Sequence, residues 1–136
     1  MDDTAGAQAS AEGDGGPLVL VIDDDPDTRS ICERALRAAG YRTATAASGE
    51  DGLARLDGVR PSLVVLDLVM PGTDGFAVAR AIRARSGGAE LPILIFTGLP
   101  RDAEGRARDA GGTAFCTKPI EPQRFLAEVR RLCPVG

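Results

Sequence analysis

A doubly wound α/β domain, with five parallel strands covered by helices on both faces, is the architecture this sequence predicts, on three observations. Three short apolar runs, Leu18–Ile22 (LVLVI), Leu63–Leu66 (LVVL) and Ile93–Phe96 (ILIF), are nearly continuous rather than alternating. Strands buried on both faces of a parallel sheet read this way. Segments with helical spacing fill the gaps between them, which is the βαβ pattern. The chain's 136 residues suffice for one core of ordinary size and no more.

The elements follow in order. Residues 1–16 carry no apolar side chain larger than Ala after Met1, so they are expected to form a disordered tail, with the folded domain at 17–136. After the first strand and Pro26, a first helix is expected on Ile31, Ala35 and Ala38, with Gly40 as its stop. Arg42–Ala46 (RTATA) reads as an edge strand. Leu53 and Leu56 mark the second helix, and Phe76, Ala79 and Ile82 the third. Residues 101–110 are a poorer helix, interrupted by Gly105 and supported mainly by Ala103, Ala107 and Ala110. Thr113–Thr117 (TAFCT) is the fifth strand. Phe125, Val129 and Leu132 give the last helix an i, i+4, i+7 stripe. The expected sheet has right-handed crossovers, and if the first and third strands are its inner pair, their carboxyl ends face one crevice.

Composition closes off several classes of function. Apolar content is 43% and net charge −4. With no run of Lys or Arg, nothing steers this chain toward nucleic acid. No apolar run approaches the ~18 residues of a membrane span, and the N-terminus lacks a secretory signal, so a cytoplasmic protein is expected. Cys32, Cys116 and Cys133 are odd in number and lack metal-type spacing; Cys32 and Cys116 read as small buried hydrophobes, and Cys133 is expected near the end of the last helix. Histidine is absent, which excludes Ser/His and Cys/His catalysis and His-based metal sites. The remaining chemistry belongs to carboxylates, hydroxyls and lysine.

Ligands of an open parallel sheet bind beyond the carboxyl ends of the strands, where strand order reverses. There the sequence places Asp23, Asp24 and Asp25 after the first strand and Asp67 after the third. Thr97 follows the fourth, and Lys118-Pro119 the fifth. Three clustered carboxylates repel one another unless a cation intervenes, and Mg²⁺ suits one or two carboxylates plus waters. A free carboxylate could then attack phosphorus, with Thr97 donating to one phosphoryl oxygen and Lys118 pairing with another. Asp25 and Asp74 are expected to be helix caps rather than ligands.

The stretches VIDDDPDTR (21–29), VVLDLVMPGTDG (64–75), IFTG (95–98) and FCTKP (115–119) occur in the order and approximate spacing of a known family. The chain resembles the receiver domains of two-component response regulators over about residues 18–133. The resemblance implies a flavodoxin-like fold of strand order 2-1-3-4-5 with Asp67 as phosphoacceptor. It implies that Mg²⁺ is held by Asp24 directly, by Asp23 through water, and by Asp67 and the backbone carbonyl of Val69. Thr97 matches the switch hydroxyl, Lys118 the phosphate-binding lysine with a cis Lys118–Pro119 bond, and Phe115 the aromatic switch position. The implied donor is a sensor histidine kinase or histidine phosphotransfer protein. The implied output is a changed surface on the fourth helix, fifth strand and fifth helix, including Arg106, Arg108, Ile120 and Arg124, read by a downstream protein effector. A monomer or a phosphorylation-dependent dimer fits this implication.

Two departures bear on rate. Val69 and Leu99, two residues after Asp67 and Thr97, are apolar and cannot orient a hydrolytic water. The expectation is therefore a phosphoacceptor that catalyses its own Mg-dependent phosphorylation and slow dephosphorylation, not a turnover enzyme. An aspartyl phosphatase would need a second Asp where Val69 stands, and neither a phosphate-binding P-loop nor a dinucleotide glycine fingerprint is present. A non-phosphorylated interaction module remains the alternative, although such relatives typically lose an acidic residue, the Thr or the Lys. Little chain follows the last helix, so either a stand-alone receiver or a piece of a longer regulator is expected.

Overall fold

The computed structural model describes residues 15–85 and 87–135. Five parallel strands form one sheet: β1 (Leu18–Ile22), β2 (Arg42–Ala46), β3 (Leu63–Leu66), β4 (Ile93–Thr97) and β5 (Ala114–Thr117). Their spatial order is β2-β1-β3-β4-β5, the flavodoxin-like arrangement. The chain leaves β1 toward one edge and returns to β3 on the other side, so the topological switch lies between β1 and β3. A two-residue antiparallel ribbon, Val69–Met70 with Thr73–Asp74, was not legible in the sequence.

Alternation along each strand sends side chains into two separate cores. Leu20, Ile22, Val64, Leu66, Ile93, Ile95 and Phe115 pack on one face with Leu56, Val78, Ile82 and Ala107. Those partners come from α2 (Gly49–Val59), α3 (Gly75–Ala84) and α4 (Glu104–Asp109). Val19, Val21, Leu63, Val65, Leu94 and Phe96 pack on the other with Cys32, Leu36, Phe125 and Val129, from α1 (Pro26–Ala38) and α5 (Pro122–Leu132). Both faces of the inner strands are thus buried, which is why their sequences are continuous apolar runs.

The first three helices begin where short polar side chains relieve unpaired N–H groups. Asp25 accepts from Asp27 N, Ser48 from Asp51 N and Asp74 from Phe76 N, so Asp25 and Asp74 are caps as expected. The fourth helical segment is a 3₁₀ turn at Arg101–Ala103 followed by a six-residue helix. No side chain caps it and Gly105 weakens it, yet Ala103, Ala107 and Ala110 are buried as predicted.

The first helix differs from expectation. Its buried residues are Cys32 and Leu36, whereas Ile31 is 38% exposed. The face carrying Cys32 and Leu36 is the one turned to the sheet, where both pack with Val19, Val21, Phe125 and Val129. Gly16, assigned to the tail, is buried, and its carbonyl accepts from Arg42 Nε at 2.6 Å. The rest of the predicted tail, residues 1–14, lies outside the described residues. Among the described residues no helix is long and apolar enough to cross a membrane.

Candidate functional site

The carboxyl ends of β1, β3, β4 and β5 meet in one cleft. Asp23 continues β1, and its N–H donates to Ala46 O of the neighbouring strand; Asp67 continues β3, and its N–H donates to Ile22 O. These ladder bonds fix the two backbones side by side, and both side chains are buried, at 2% and 4% exposure. Asp24 is exposed at the rim. Carboxylate oxygens of Asp23, Asp24 and Asp67 all lie within 4.8 Å of one another.

Lys118, the only lysine in the chain, reaches into this cluster from the end of β5. Its Nζ lies 2.7 Å from Asp23 Oδ2 and 3.1 Å from Asp67 Oδ2. Lys118 N donates to Thr97 O at 2.8 Å, and the Lys118–Pro119 peptide is cis, as the resemblance implied. The aliphatic stem passes Phe96, leaving Nζ 5.7 Å from the ring centroid, a cation–π distance.

The remaining oxygens are held by backbone. Asp67 Oδ1 accepts from Val69 N at 3.1 Å, and Asp23 Oδ1 from Asp25 N at 3.0 Å. Thr97 is fully buried, and its hydroxyl accepts a long bond from Leu99 N at 3.4 Å. Arg29 Nη1 donates to the carbonyl of Asp23 at 2.8 Å, clamping the turn that carries the acidic pair. Sequence reasoning gave Arg29 and Phe96 no role. Arg29 lies inside the stretch quoted above, but nothing in its spacing shows that its guanidinium folds back six residues.

Electrostatics follow from burial and pairing. Loss of water raises the pKa of Asp23 above the usual carboxylate value, and outweighs the opposing pull of Lys118 and the Asp25 N–H. For Lys118 the balance reverses. Burial alone would lower its pKa, but hydrogen bonds to Asp23 and Asp67 raise it overall, so the ammonium is firmly charged. Two buried carboxylates against one ammonium leave the cleft net negative before Asp24 is counted. Hard oxygen donors with surplus negative charge fit Mg²⁺ or a similar cation.

Phe115 is 8% exposed and packed in the core beneath α4. The Arg101 guanidinium lies 5.6 Å from its ring centroid. Val69 is 55% exposed at the mouth of the cleft, and Leu99 is half-buried.

The response regulator receiver domain model matches residues 19–130, most of the chain and all of the residues just described. This chain belongs to the response regulator receiver domain family. Among curated relatives of this receiver, the transcriptional regulatory protein AfsQ1 of Streptomyces coelicolor is 40% identical over 88% of this chain and 52% of its own length. The DNA-binding response regulator MtrA of Mycolicibacterium smegmatis is 34% identical over 82% of this chain and 48% of its own. The receiver thus spans about half the length of these relatives. Chemotaxis response regulator CheY4 of Vibrio cholerae superposes with a TM-score of 0.81 at 30% identity, over 85% of this chain and 98% of that one. The receiver domain of sensor histidine kinase PA1611 of Pseudomonas aeruginosa has a magnesium ion coordinated in its active site cleft. It superposes with a TM-score of 0.79 at 25% identity, over 87% of this chain and 98% of that one.

Proposed function

We propose that this receiver is a phosphoacceptor switch that takes a phosphoryl group on Asp67 from phosphohistidine on a sensor histidine kinase or phosphotransfer protein. The observation that carries the reading is the single ammonium of Lys118 held between two buried carboxylates, Asp23 and Asp67. A mere structural ion pair needs one carboxylate. The second, with Asp24 beside it, makes a site short of positive charge.

An Asp67 carboxylate oxygen attacks phosphorus in line. The new P–O bond forms as the donor's P–N bond breaks, and the electron pair leaves with the imidazole. The Val69 N–H on Asp67 Oδ1 orients the nucleophile. Lys118 moves its charge from carboxylate to phosphoryl oxygen, and Thr97 turns its hydroxyl to donate to another. Asp23, Asp24, Asp67 and the carbonyl of Val69 would hold Mg²⁺, which supplies charge neutralisation of the transferring group. Arg29 keeps the acidic turn in place through the Asp23 carbonyl.

The aspartyl phosphate would bias an existing equilibrium through Thr97, with Phe115 reporting on the space Thr97 leaves. The altered surface on α4, β5 and α5, with Arg106, Arg108, Ile120 and Arg124, would be read by a downstream protein effector in the cytoplasm, by a monomer or a phosphorylation-dependent dimer. The DNA-binding regulator MtrA is matched over about half its length, and the receiver itself, with no run of Lys or Arg, offers no basic patch for nucleic acid phosphates. Exposed Val69 and half-buried Leu99 offer no group to orient water, so the receiver catalyses its own phosphorylation but dephosphorylates slowly. Its phosphoprotein should persist for minutes or longer; decay within seconds would defeat that claim.

The test is a phosphate-affinity gel after acetyl phosphate treatment, with and without Mg²⁺. Wild type should shift only with Mg²⁺, and Asp67→Ala should not shift at all. A shift in Asp67→Ala equal to wild type, or none in wild type with Mg²⁺, would reject the proposal.

A further inference from the structure

A second cavity lies at the opposite edge of the sheet from Asp67. It has a volume of about 520 Å³ and sits between the C-terminal ends of α2 and α3. Arg60 leads into β3 and Leu91 into β4, so the cavity opens at the strands' N-terminal side. It is separated from the acidic cleft by roughly the length of β3, ~13 Å at ~3.3 Å per residue. Leu56, Ile82 and Leu91 give it an apolar floor, while Arg60, Arg85 and Asp57 supply its charged groups. Two guanidiniums against one carboxylate leave it with a formal charge of +1.

The polar groups here are incompletely paired. Arg85 Nη2 donates to Leu53 O at 3.0 Å, strapping α3 to α2, while among the described residues its Nε has no hydrogen-bond partner, in a side chain that is 35% exposed overall. The carboxylate of Asp57 stops 3.9 Å away, too far for a hydrogen bond. A buried donor without an acceptor bears its full desolvation cost, and such groups in native structures call for a partner. Arg60 caps α2 in the left-handed conformation, φ 49°, alone among the described non-glycine residues in having a positive φ. That backbone is disfavoured for a side chain, and an arginine kept there is a reason to ask what its guanidinium does.

We propose that this cavity binds a small organic carboxylate, the acid group on Arg85 and Arg60 and the hydrocarbon body on Leu56, Ile82 and Leu91. The volume falls in the usual range for small-molecule sites. A cation is disfavoured by the net charge, and a bare inorganic anion would leave the apolar floor uncovered. Asp57 is the internal competitor. Its side chain is 76% exposed, so it is free to swing onto Arg85 or away to solvent.

Benzoate is the probe, titrated into the ¹⁵N-labelled full chain and followed by amide chemical shifts. Saturable shifts are expected at residues 56–61 and 82–91, with the amides of Asp23 and Asp67 unmoved. Benzyl alcohol, which lacks the charge, and acetate, which lacks the body, should bind at least about tenfold more weakly. Arg60→Gly suits the left-handed backbone and therefore folds; it should weaken benzoate about threefold to tenfold. Asp57→Asn removes the competing carboxylate and should strengthen it about threefold. No saturable shift up to about 20 mM, where weak ligands of this size still register, would overturn the proposal. So would binding indifferent to both substitutions.

Discussion

Asp23 and Lys118 stand 2.7 Å apart, yet the burial of Asp23 leaves its pKa above 3.8. A carboxyl whose folded pKa is raised holds its proton more tightly in the native state than in the unfolded chain. Above that folded value the buried charge therefore costs stability, and the cost disappears as pH falls through it. Asp23→Asn should consequently raise the melting temperature of the metal-free protein at neutral pH, by the equivalent of about 1 kcal/mol. The gain should vanish as pH falls through the Asp23 value, where wild type is protonated too. A variant equal to or less stable than wild type at pH 7 in chelator would sink the argument. Lys118→Ala is expected to do something different. At an effective dielectric near 20, unit charges 4 Å apart interact by ~4 kcal/mol. Solvent at this cleft screens much of that, so removing the ammonium should tighten Mg²⁺ binding about tenfold in calorimetry, even as phosphorylation falls. Unchanged or weaker Mg²⁺ affinity would contradict it. At this scale most of the site was legible in the sequence, because Asp23, Asp67, Thr97 and Lys118 each sit at a strand end, and strand ends of a parallel sheet converge. Arg29 and Phe96 were not, because their roles depend on which way a side chain turns from an element whose facing partners the sequence leaves open.

Elements couple the site to its surroundings through a few close approaches. Gly75 opens α3 directly under the acidic loop. A Cβ there would stand 2.4 Å from Leu68 Cα and 2.7 Å from Asp67 O, both backbone atoms that cannot swing aside. Gly75→Ala should therefore displace the Asp67 loop. A stability loss of about 2 kcal/mol is expected, together with a slower gel shift with acetyl phosphate. Wild-type behaviour in both measurements would show that the loop tolerates the contact. The short α4 has no N-terminal cap and is held to α3 by the Arg106 guanidinium, 4.3 Å from the Phe76 ring centroid. Cation–π contacts at such exposed positions contribute ~0.5–1 kcal/mol. Arg106→Ala should accelerate amide exchange across residues 104–110 about twofold to fivefold, and Arg106→Lys should largely restore it. The expected interruption of the fourth helix at Gly105 is not where the break falls: α4 runs through Gly105, and the change from 3₁₀ to α comes before it, between Ala103 and Glu104; α1 was expected with the wrong stripe. The α1 error is instructive. Ile31, Ala35 and Ala38 satisfy helical spacing as well as Cys32 and Leu36 do, and only the facing sheet decides between them.

The whole molecule is two cores on one sheet, each tied by polar straps that no pattern of apolar residues announces. Arg83 is the clearest. It leaves the end of α3 and donates to Gly88 O and Leu91 O before β4, then to Gly111 O and the Thr113 hydroxyl before β5. Tyr41 plays the same part on the other face, its hydroxyl donating to Cys133 O at 2.6 Å. Burial raises all three thiols, Cys32 to about 12, and all three are free and buried. A protonated, buried thiol reacts only when the chain opens. Thiol labelling in the native state should thus report unfolding of the α1–α5 core, where Cys32, Cys116 and Cys133 all lie. Arg83→Met sits on the opposite face and removes several charge-assisted bonds at once. It leaves at least three carbonyls to find other partners, a loss of about 3 kcal/mol. If the two cores unfold together, Cys32 in this variant should label about a hundredfold faster than in wild type, because 1.4 kcal/mol is tenfold in the open population. If Arg83→Met melts the protein to that extent while Cys32 labelling stays at the wild-type rate, the cores are not one cooperative unit and the sheet does not transmit the loss.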